Sequence, residues 1–302
     1  MKGGFWPFLL PLALVPPALG GYPLYLATDV AVWALAATGQ ALLYRFTGLV
    51  SLGHAAFLGG GAYVGALLTR GQPEFFPLAL LLAPVLGSAV ALLLGALSLR
   101  SHGIFFLMLS LALAQLLYVL AKQGFPQITG GDDGLSGVPK PPFLESPGAY
   151  YLLALALLLG VLWAYHRFAQ SPLGRTLEAL RSNEARLEAL GYPVRGYKLL
   201  AFGLSGALTA LAGVLLAAHR GFVHPHDLAW HTSGALLVMA VIGGMTWTHG
   251  GLLGAAILIL AEALLSTWTG LWNLFLGAVL MGVVLLPRLR RLASRRWTYG
   301  RA

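Results

Sequence analysis

The 302-residue sequence has no cysteine, which excludes disulfide staples and thiolate metal centres and leaves the redox compartment unreadable. Charge is scarce as well. Asp, Glu, Lys and Arg make up only 10% of the chain, with 10 acidic residues against 19 basic ones. No GxxxxGKS or GxxxxGKT stretch occurs, so the chain carries no phosphate-cradling loop of its own. If ATP drives its work, another polypeptide binds the nucleotide. What the chain has in excess is apolar side chain, at 58% of residues, beyond the range of soluble globular domains.

Apolar runs of about 20 residues recur, the length an α-helix needs to cross a hydrocarbon core. Unpaired backbone is not tolerated in lipid, so spans are either helices or the strands of a closed barrel. Barrel strands alternate apolar and polar residues, whereas YYLLALALLLGVLWAY (150–165) is apolar on every side. The expected fold is therefore all-α, a polytopic helical membrane protein forming a single transmembrane domain over 1–302. Ten apolar segments are expected, at roughly 5–19, 24–43, 49–69, 77–99, 103–121, 149–166, 198–218, 234–246, 250–268 and 271–287. The first and eighth are short enough to be partial or re-entrant, which brackets the count between eight and ten. With both termini cytoplasmic, 15 of the 19 Lys and Arg fall inside and only Arg70, Lys122, Lys140 and Arg220 outside, as the positive-inside rule requires.

The N-terminus admits a second reading. MKGGFWPFLLPLALVPPALGG has the basic start, short apolar stretch and small residues of a signal peptide, whose removal leaves nine spans and an external N-terminus. Pro11, Pro16 and Pro17 equally suit a kinked first helix. Two connections stand out from the apolar background, an external loop at 122–148 and a cytoplasmic loop at 167–197. A basic cytoplasmic tail covers 288–302.

The cytoplasmic loop contains GRTLEALRSNEARLEALGY (174–192), with six charged side chains. Ser171–Pro172 is a helix start, with a hydroxyl at the N-cap and proline in the first turn. Gly191 followed by Pro193 is a stop. Leu177, Leu180, Leu187 and Leu190 recur at helical spacing, while Arg175, Glu178, Arg181 and Arg186 point elsewhere. Ser182–Asn183 favour a break into two short helices. An amphipathic helix on anionic headgroups is one reading. The three glutamates mixed among the arginines favour docking to a protein instead.

SPLGRTLEALRSNEARLEALGYPVRGYKLLAF resembles the cytoplasmic loop of LivM-type permeases of branched-chain amino acid ABC transporters. The resemblance extends to YRFTGLVSLGHAAFLGGGAYVGALL (44–68), TGGDDGL (129–135) and LVMAVIGGMTWTHGGLLGA (237–255), in the family's order. GGMTWTHGG (243–251), with His249 and no proline, departs from the family's usual GGLGTLWGP. The resemblance implies a permease subunit of an ATP-driven importer in the plasma membrane of a prokaryote. Its implied partners are a second homologous permease, two ATP-binding subunits that hold the ATP and Mg, an external solute-binding protein and the lipid bilayer, with no nucleic acid. It implies no catalytic residue and no cofactor in this chain. Gly174, Arg175, Leu177, Glu178, Ala179, Arg181, Asn183, Glu184, Leu187 and Gly191 become the expected ATPase-coupling residues. Ser51, Gly53, His54, Phe57, Gly243 and Gly244 become the expected translocation path. A urea or short-amide permease shares much of the SLGHAAF region and is the alternative within the class.

Other features support other readings. In SLGHAAFLGGGAYVGA, Gly53, Ala56 and Gly60, and on another face Ala55, Gly59 and Ala62, have the small-xxx-small spacing of closely packed membrane helices. Ser51 and His54 as a nucleophile–base pair lack any motif for a third member or an oxyanion hole. HRGFVHPHDLAWH (219–231) holds four histidines and Asp227, enough donors for a divalent metal, or simply a decorated loop. Glu262, read as the one acidic residue deep in a span, is what a proton-coupled secondary transporter would need.

Overall fold

The computed structural model describes residues 20–266 together with Gly277 and Met281. The α-helices among them are α1 (Gly21–Thr47), α2 (His54–Thr69), α3 (Phe76–Ser98), α4 (Ile104–Val119), α5 (Pro126–Thr129), α6 (Pro147–Gln170), α7 (Pro172–Ser182), α8 (Glu184–Ala189), α9 (Val194–Arg220), α10 (Trp230–Gly243) and α11 (Gly250–Ser266). Eight of them coincide with eight of the ten expected apolar segments. The segments at 5–19 and 271–287 and the tail at 288–302 lie outside the described residues, apart from Gly277 and Met281, which are helical. Five helices are long and apolar enough to cross a membrane: α1, α3 with the turn from Pro73, α4 with its π-helical extension to Gly124, α6 and α9. The chain is an all-α membrane protein. Its apolar surface agrees, because Leu81, Val85 and Leu93 of α3 and Phe105 and Met108 of α4 are all at least 60% exposed, as lipid-facing side chains are.

Three of the eight helices that match expected apolar segments are shorter. α2, α10 and α11 have 16, 14 and 17 residues, about 21–26 Å of helix at 1.5 Å per residue. The expected third segment began at 49, but α2 starts only at His54. Gly48, with φ 72°, ends α1 in the left-handed conformation, and its N–H bonds Tyr44 O. The chain then runs irregularly to Gly53. Its backbone would be unsatisfied in lipid without the side chains that reach it. Gln40 Nε2 donates to Ser51 O at 2.8 Å, Ser110 Oγ accepts the Leu52 N–H at 3.1 Å, and Ser233 Oγ accepts the Ala55 N–H at 2.8 Å. Four helices thus converge on this entry.

α1 runs through the middle of the bundle. Ala34, Leu35, Ala36 and Ala37 are all fully buried, so no face of the helix reaches a surface there. α9 packs along α1, α2 and α3 at backbone distance. A Cβ on Gly61 of α2 would lie 2.0 Å from Ala210 O of α9, and one on Gly213 of α9 would lie 2.0 Å from Leu58 O. Small residues drive such packing in membranes, where lipid tails are as apolar as leucine. Of the two expected small-residue faces, the one with Ala55, Gly59 and Ala62 is close-packed, a Cβ on Gly59 lying 2.5 Å from the Leu228 side chain, whereas a Cβ on Gly60 of the other face meets nothing within 4 Å. The crossing with α9 is at Gly61, which neither face included.

The loop at 122–148 is ordered by backbone pairing. Strand β1 (Leu135–Ser136) pairs antiparallel with β2 (Phe222–Val223), which follows α9. Within TGGDDGL, a Cβ on Gly130 would meet Gly134 O at 1.9 Å and one on Gly134 would meet Val223 O at 2.2 Å. That motif is a folded turn that fastens the loop to the helix bundle.

Candidate functional site

The loop at 167–197 forms the two short helices that its sequence implies. Ser171 Oγ accepts the Gly174 N–H at 3.1 Å and starts α7, while Asn183 Oδ1 accepts the Arg186 N–H at 3.0 Å and starts α8. Gly191, with φ 83°, closes the loop before α9. α7 lies hard on the end of α6, since a Cβ on Gly174 would sit 2.2 Å from Phe168 O.

The leucine face turns inward on the chain's own scaffold. Leu177 is fully buried in the apolar cluster that holds Phe46, Tyr165, Ala169 and Phe202. Leu180 and Leu187 close over Val194 at the start of α9. Burying each leucine contributes about 1.5–3 kcal/mol. Leu190, expected on the same face, is instead 68% exposed. The backbone is extended at Asn183 (φ −160°, ψ 93°), yet Leu187 beyond it stays on the buried face; α8 ends at Ala189, so the helical spacing does not carry on to Leu190.

Half of the charges are also committed inside the chain. Glu178 Oε1 accepts from Arg45 Nε at 3.1 Å and Nη2 at 2.9 Å. The third arm of that guanidinium, Nη1, donates to Thr248 Oγ1 at 2.8 Å, in the turn between α10 and α11. Arg45 also lies 5.5 Å from the Tyr165 ring and 5.7 Å from the Phe46 ring. Arg181 sits 4.7 Å over the Tyr44 ring and donates to Arg45 O at 3.5 Å. This places a cation at the carbonyl end of α1, where the helix dipole favours it. Glu184 pairs with Lys198, buried in the first turn of α9, at 2.5 Å.

The ten expected coupling residues therefore divide. Gly174, Leu177 and Leu187 anchor the loop, Glu178, Arg181 and Glu184 tie it to α1 and α9, and Asn183 caps α8. Arg175, Ala179 and Gly191 face outward and are exposed, as are Arg186, Glu188, Leu190 and Tyr192, which sequence reasoning did not select. It also missed Arg45 and Thr248, whose only sequence signals were a cytoplasmic charge and a polar residue in a glycine-bracketed turn.

The expected path residues lie elsewhere, in the subunit's interior. Ser51 and His54 are fully buried and Phe57 is 1% exposed. Gly53 and Gly243 are buried and Gly244 is partly so. His54 Nε2 and Ser205 Oγ are 2.5 Å apart, and Ser205 Oγ donates to Gly39 O at 2.7 Å, a node that joins α1, α2 and α9. Gly243 and Gly244 shape the α10–α11 hairpin: a Cβ on Gly243 would lie 1.8 Å from Gly250 O. The departure at GGMTWTHGG is accommodated as a tight turn, with Trp247 N bonded to Gly244 O and Gly250 N to Trp247 O, each at 3.0 Å. Burial, then the nearby His166, holds the His249 imidazole below the ordinary histidine range.

In the histidine-rich loop the donors hold each other. Asp227 accepts from His224 N at 3.2 Å and Arg220 at 3.3 Å, and His224 Nδ1 accepts the His226 N–H at 3.1 Å. Burial pushes the Asp227 carboxyl up, and the His224 N–H and Arg220 oppose that rise. Among the described residues no three His, Cys, Asp or Glu side chains are grouped as a metal would need. Glu262 is not the only acidic residue in a helix, because Asp29 lies within α1. One Asp29 carboxylate oxygen is buried with no hydrogen-bond partner among the described residues, and Arg220 and Glu262 lie within electrostatic reach of it.

Comparison with known proteins follows the same lines as this geometry. The chain is 29% identical over 303 residues to the high-affinity branched-chain amino acid transport system permease protein LivM of Escherichia coli (strain K12), covering 91% of this chain and 69% of that protein. The LivM of Salmonella typhimurium is similar to the same extent. The autoinducer 2 import system permease protein LsrC of Klebsiella pneumoniae is 34% identical over 191 residues, 59% of this chain and 53% of that protein. No solved structure gives a match. Residues 22–285 match the family described as branched-chain amino acid transport system / permease component. A chain with this all-α membrane fold, matched to that description over nearly its whole length, belongs to the family of permease components of branched-chain amino acid transport systems.

Proposed function

We propose that this chain is one of two homologous permease subunits in an ATP-driven importer that moves branched-chain or related hydrophobic amino acids across a prokaryotic plasma membrane. One of the two ATP-binding subunits docks on the 167–197 loop, and an external solute-binding protein delivers the solute on the side of the 122–148 loop. One observation supports this most: the loop is a doubly capped pair of helices, anchored by Leu177, Leu180 and Leu187, whose outward face is exposed among the described residues. That face mixes Arg175 and Arg186 with exposed Leu190 and Tyr192. An anchored, mixed apolar and basic surface suits a protein partner, since aromatic and arginine anchors dominate interfaces.

The test is uptake by the complete complex in vesicles, with labelled leucine, isoleucine, valine, urea and short amides. ATP-dependent uptake of the branched-chain solutes is expected. Uptake confined to urea or amides would move the substrate assignment. The carboxylates of Asp29 and Glu262 favour a second reading, a proton-coupled carrier, and uptake that survives ATP depletion but collapses with the proton gradient would establish it instead.

The proposed topology has both termini and the 167–197 loop in the cytoplasm. Ser136 and Ser182 are exposed on the two opposite loops, and the native chain has no cysteine to give background. Single cysteines there are expected to react with an impermeant maleimide from opposite faces, Ser136→Cys from outside and Ser182→Cys only in inverted vesicles. Labelling of both from one face would sink the topology.

A further inference from the structure

Arg45, on α1, joins two parts of the chain that lie far apart in sequence. One is α7, the helix at the centre of the docking loop, through Nε and Nη2 on Glu178 Oε1. The other is the α10–α11 turn, through Nη1 on Thr248 Oγ1. The partners are 133 and 203 residues away in sequence. The guanidinium is confined by the rings of Phe46 and Tyr165 and is only 18% exposed, so it cannot swing to follow one partner without the other. Arginine alone among side chains offers a planar fork with donors aimed in several fixed directions.

Both ends of the link are stiff. α7 is seated by the close contact of Gly174 with Phe168 O and by buried Leu177. The α10–α11 hairpin is closed at backbone distance, with a Cβ on Gly254 lying 1.7 Å from Met239 O and one on Gly243 lying 1.8 Å from Gly250 O. A displacement of one end therefore transfers to the other as a rigid-body shift, because packed elements rearrange between discrete positions and do not stretch.

We propose that Arg45 is a positioning residue for coupling: it transmits displacement of α7 to the α10–α11 hairpin, so that ATP hydrolysis by a docked subunit repositions that hairpin in the membrane. This role rests on the ATPase-docking reading above.

The experiment compares Thr248→Val, Thr248→Ser, Arg45→Lys and the Arg45→Lys/Thr248→Val double variant in the complete reconstituted complex, reading solute moved per ATP hydrolysed. Valine matches threonine in shape and removes only the accepting oxygen, whereas serine keeps it. Lysine keeps the charge beside Glu178 but is a single point of donation. Thr248→Val is expected to assemble and hydrolyse ATP at the native basal rate while solute moved per ATP falls about tenfold, and Thr248→Ser is expected to stay native. Arg45→Lys should show a similar loss, and the double variant should be no worse than either single one, because both cut the same link.

A native ratio in Thr248→Val and Arg45→Lys would overturn the relay. So would losses that multiply in the double variant, or a fall in uptake and hydrolysis together, since those mark independent structural ties. If the native complex itself shows no ATP-driven uptake, the proposed function falls and the relay with it.

Discussion

Gly61→Val is expected to remove nearly all of the permease from the membrane, whereas Gly60→Ala, one residue earlier in the same glycine run, is expected to leave it at native level or slightly above. At Gly61 the added carbon would lie 2.0 Å from the carbonyl oxygen of Ala210 and 2.7 Å from its carbonyl carbon. These are backbone atoms of α9, so no rotamer change relieves the clash, and the whole helix must move. That movement is opposed, because α9 is held at similar range by Gly213 against Leu58 O and by Gly206 against Ala91 Cβ at 2.4 Å. Overpacking a well-filled core costs typically 1–3 kcal/mol and more where the backbone is the obstacle. Total stabilities are about 5–15 kcal/mol, so valine at this crossing consumes much of the margin. Gly60 faces open space, and alanine there gains up to about 1 kcal/mol of helix propensity. The measurement is membrane accumulation together with the aggregation midpoint of detergent-purified protein. Gly213→Val should match Gly61→Val, being the other half of the same crossing. Native accumulation of Gly61→Val would refute the α2–α9 packing.

The second large effect is expected at the outward face of the docking loop. Arg186→Glu combined with Leu190→Ser should abolish recruitment of the ATP-binding subunit while the permease still inserts and accumulates. Among the described residues Arg186 makes no ion pair, and Leu190 is 68% exposed, so the described scaffold loses nothing it uses. A like-charge juxtaposition at an interface costs several kcal/mol, and every 1.4 kcal/mol is tenfold in affinity. The charge reversal alone thus accounts for about a hundredfold weaker docking, and losing an apolar contact adds to it. Glu178→Lys makes a useful contrast. Glu178 is bonded to Arg45, so its reversal sets two cations against each other within the chain and disturbs the seat of α7. It should lower accumulation, which the outward pair does not. Co-purification of the ATP-binding subunit with each variant, beside total permease in the membrane, separates the two effects. Undiminished co-purification with the Arg186/Leu190 variant would count against docking on this face. A helix that merely rests on lipid predicts weaker membrane association and no change in co-purification.

What the sequence by itself determined is what depends on neighbours along the chain. Span length is a local property, since about 20 apolar residues cross a bilayer whatever surrounds them, and α1, α3, α4, α6 and α9 fall where the apolar runs are. Capping is local as well, so Ser171–Pro172, Asn183 and Gly191 marked α7, α8 and their end. Only the tertiary structure decided which atoms those elements present to one another. A helix turns about 100° per residue, so moving a contact from Gly60 to Gly61 selects a different face, and composition does not distinguish them. Leu190 left the leucine face because the helix that carries Leu187 ends at Ala189, one residue before it. Arg45 looked like an ordinary cytoplasmic charge, yet it bonds residues 133 and 203 positions away, and pairings at that separation follow from helix packing alone. The irregular backbone between α1 and α2 has the same lesson: Ser51 Oγ accepts the nearby Gly53 N–H, but only the folded bundle brings Gln40, Ser110 and Ser233 close enough to satisfy the rest.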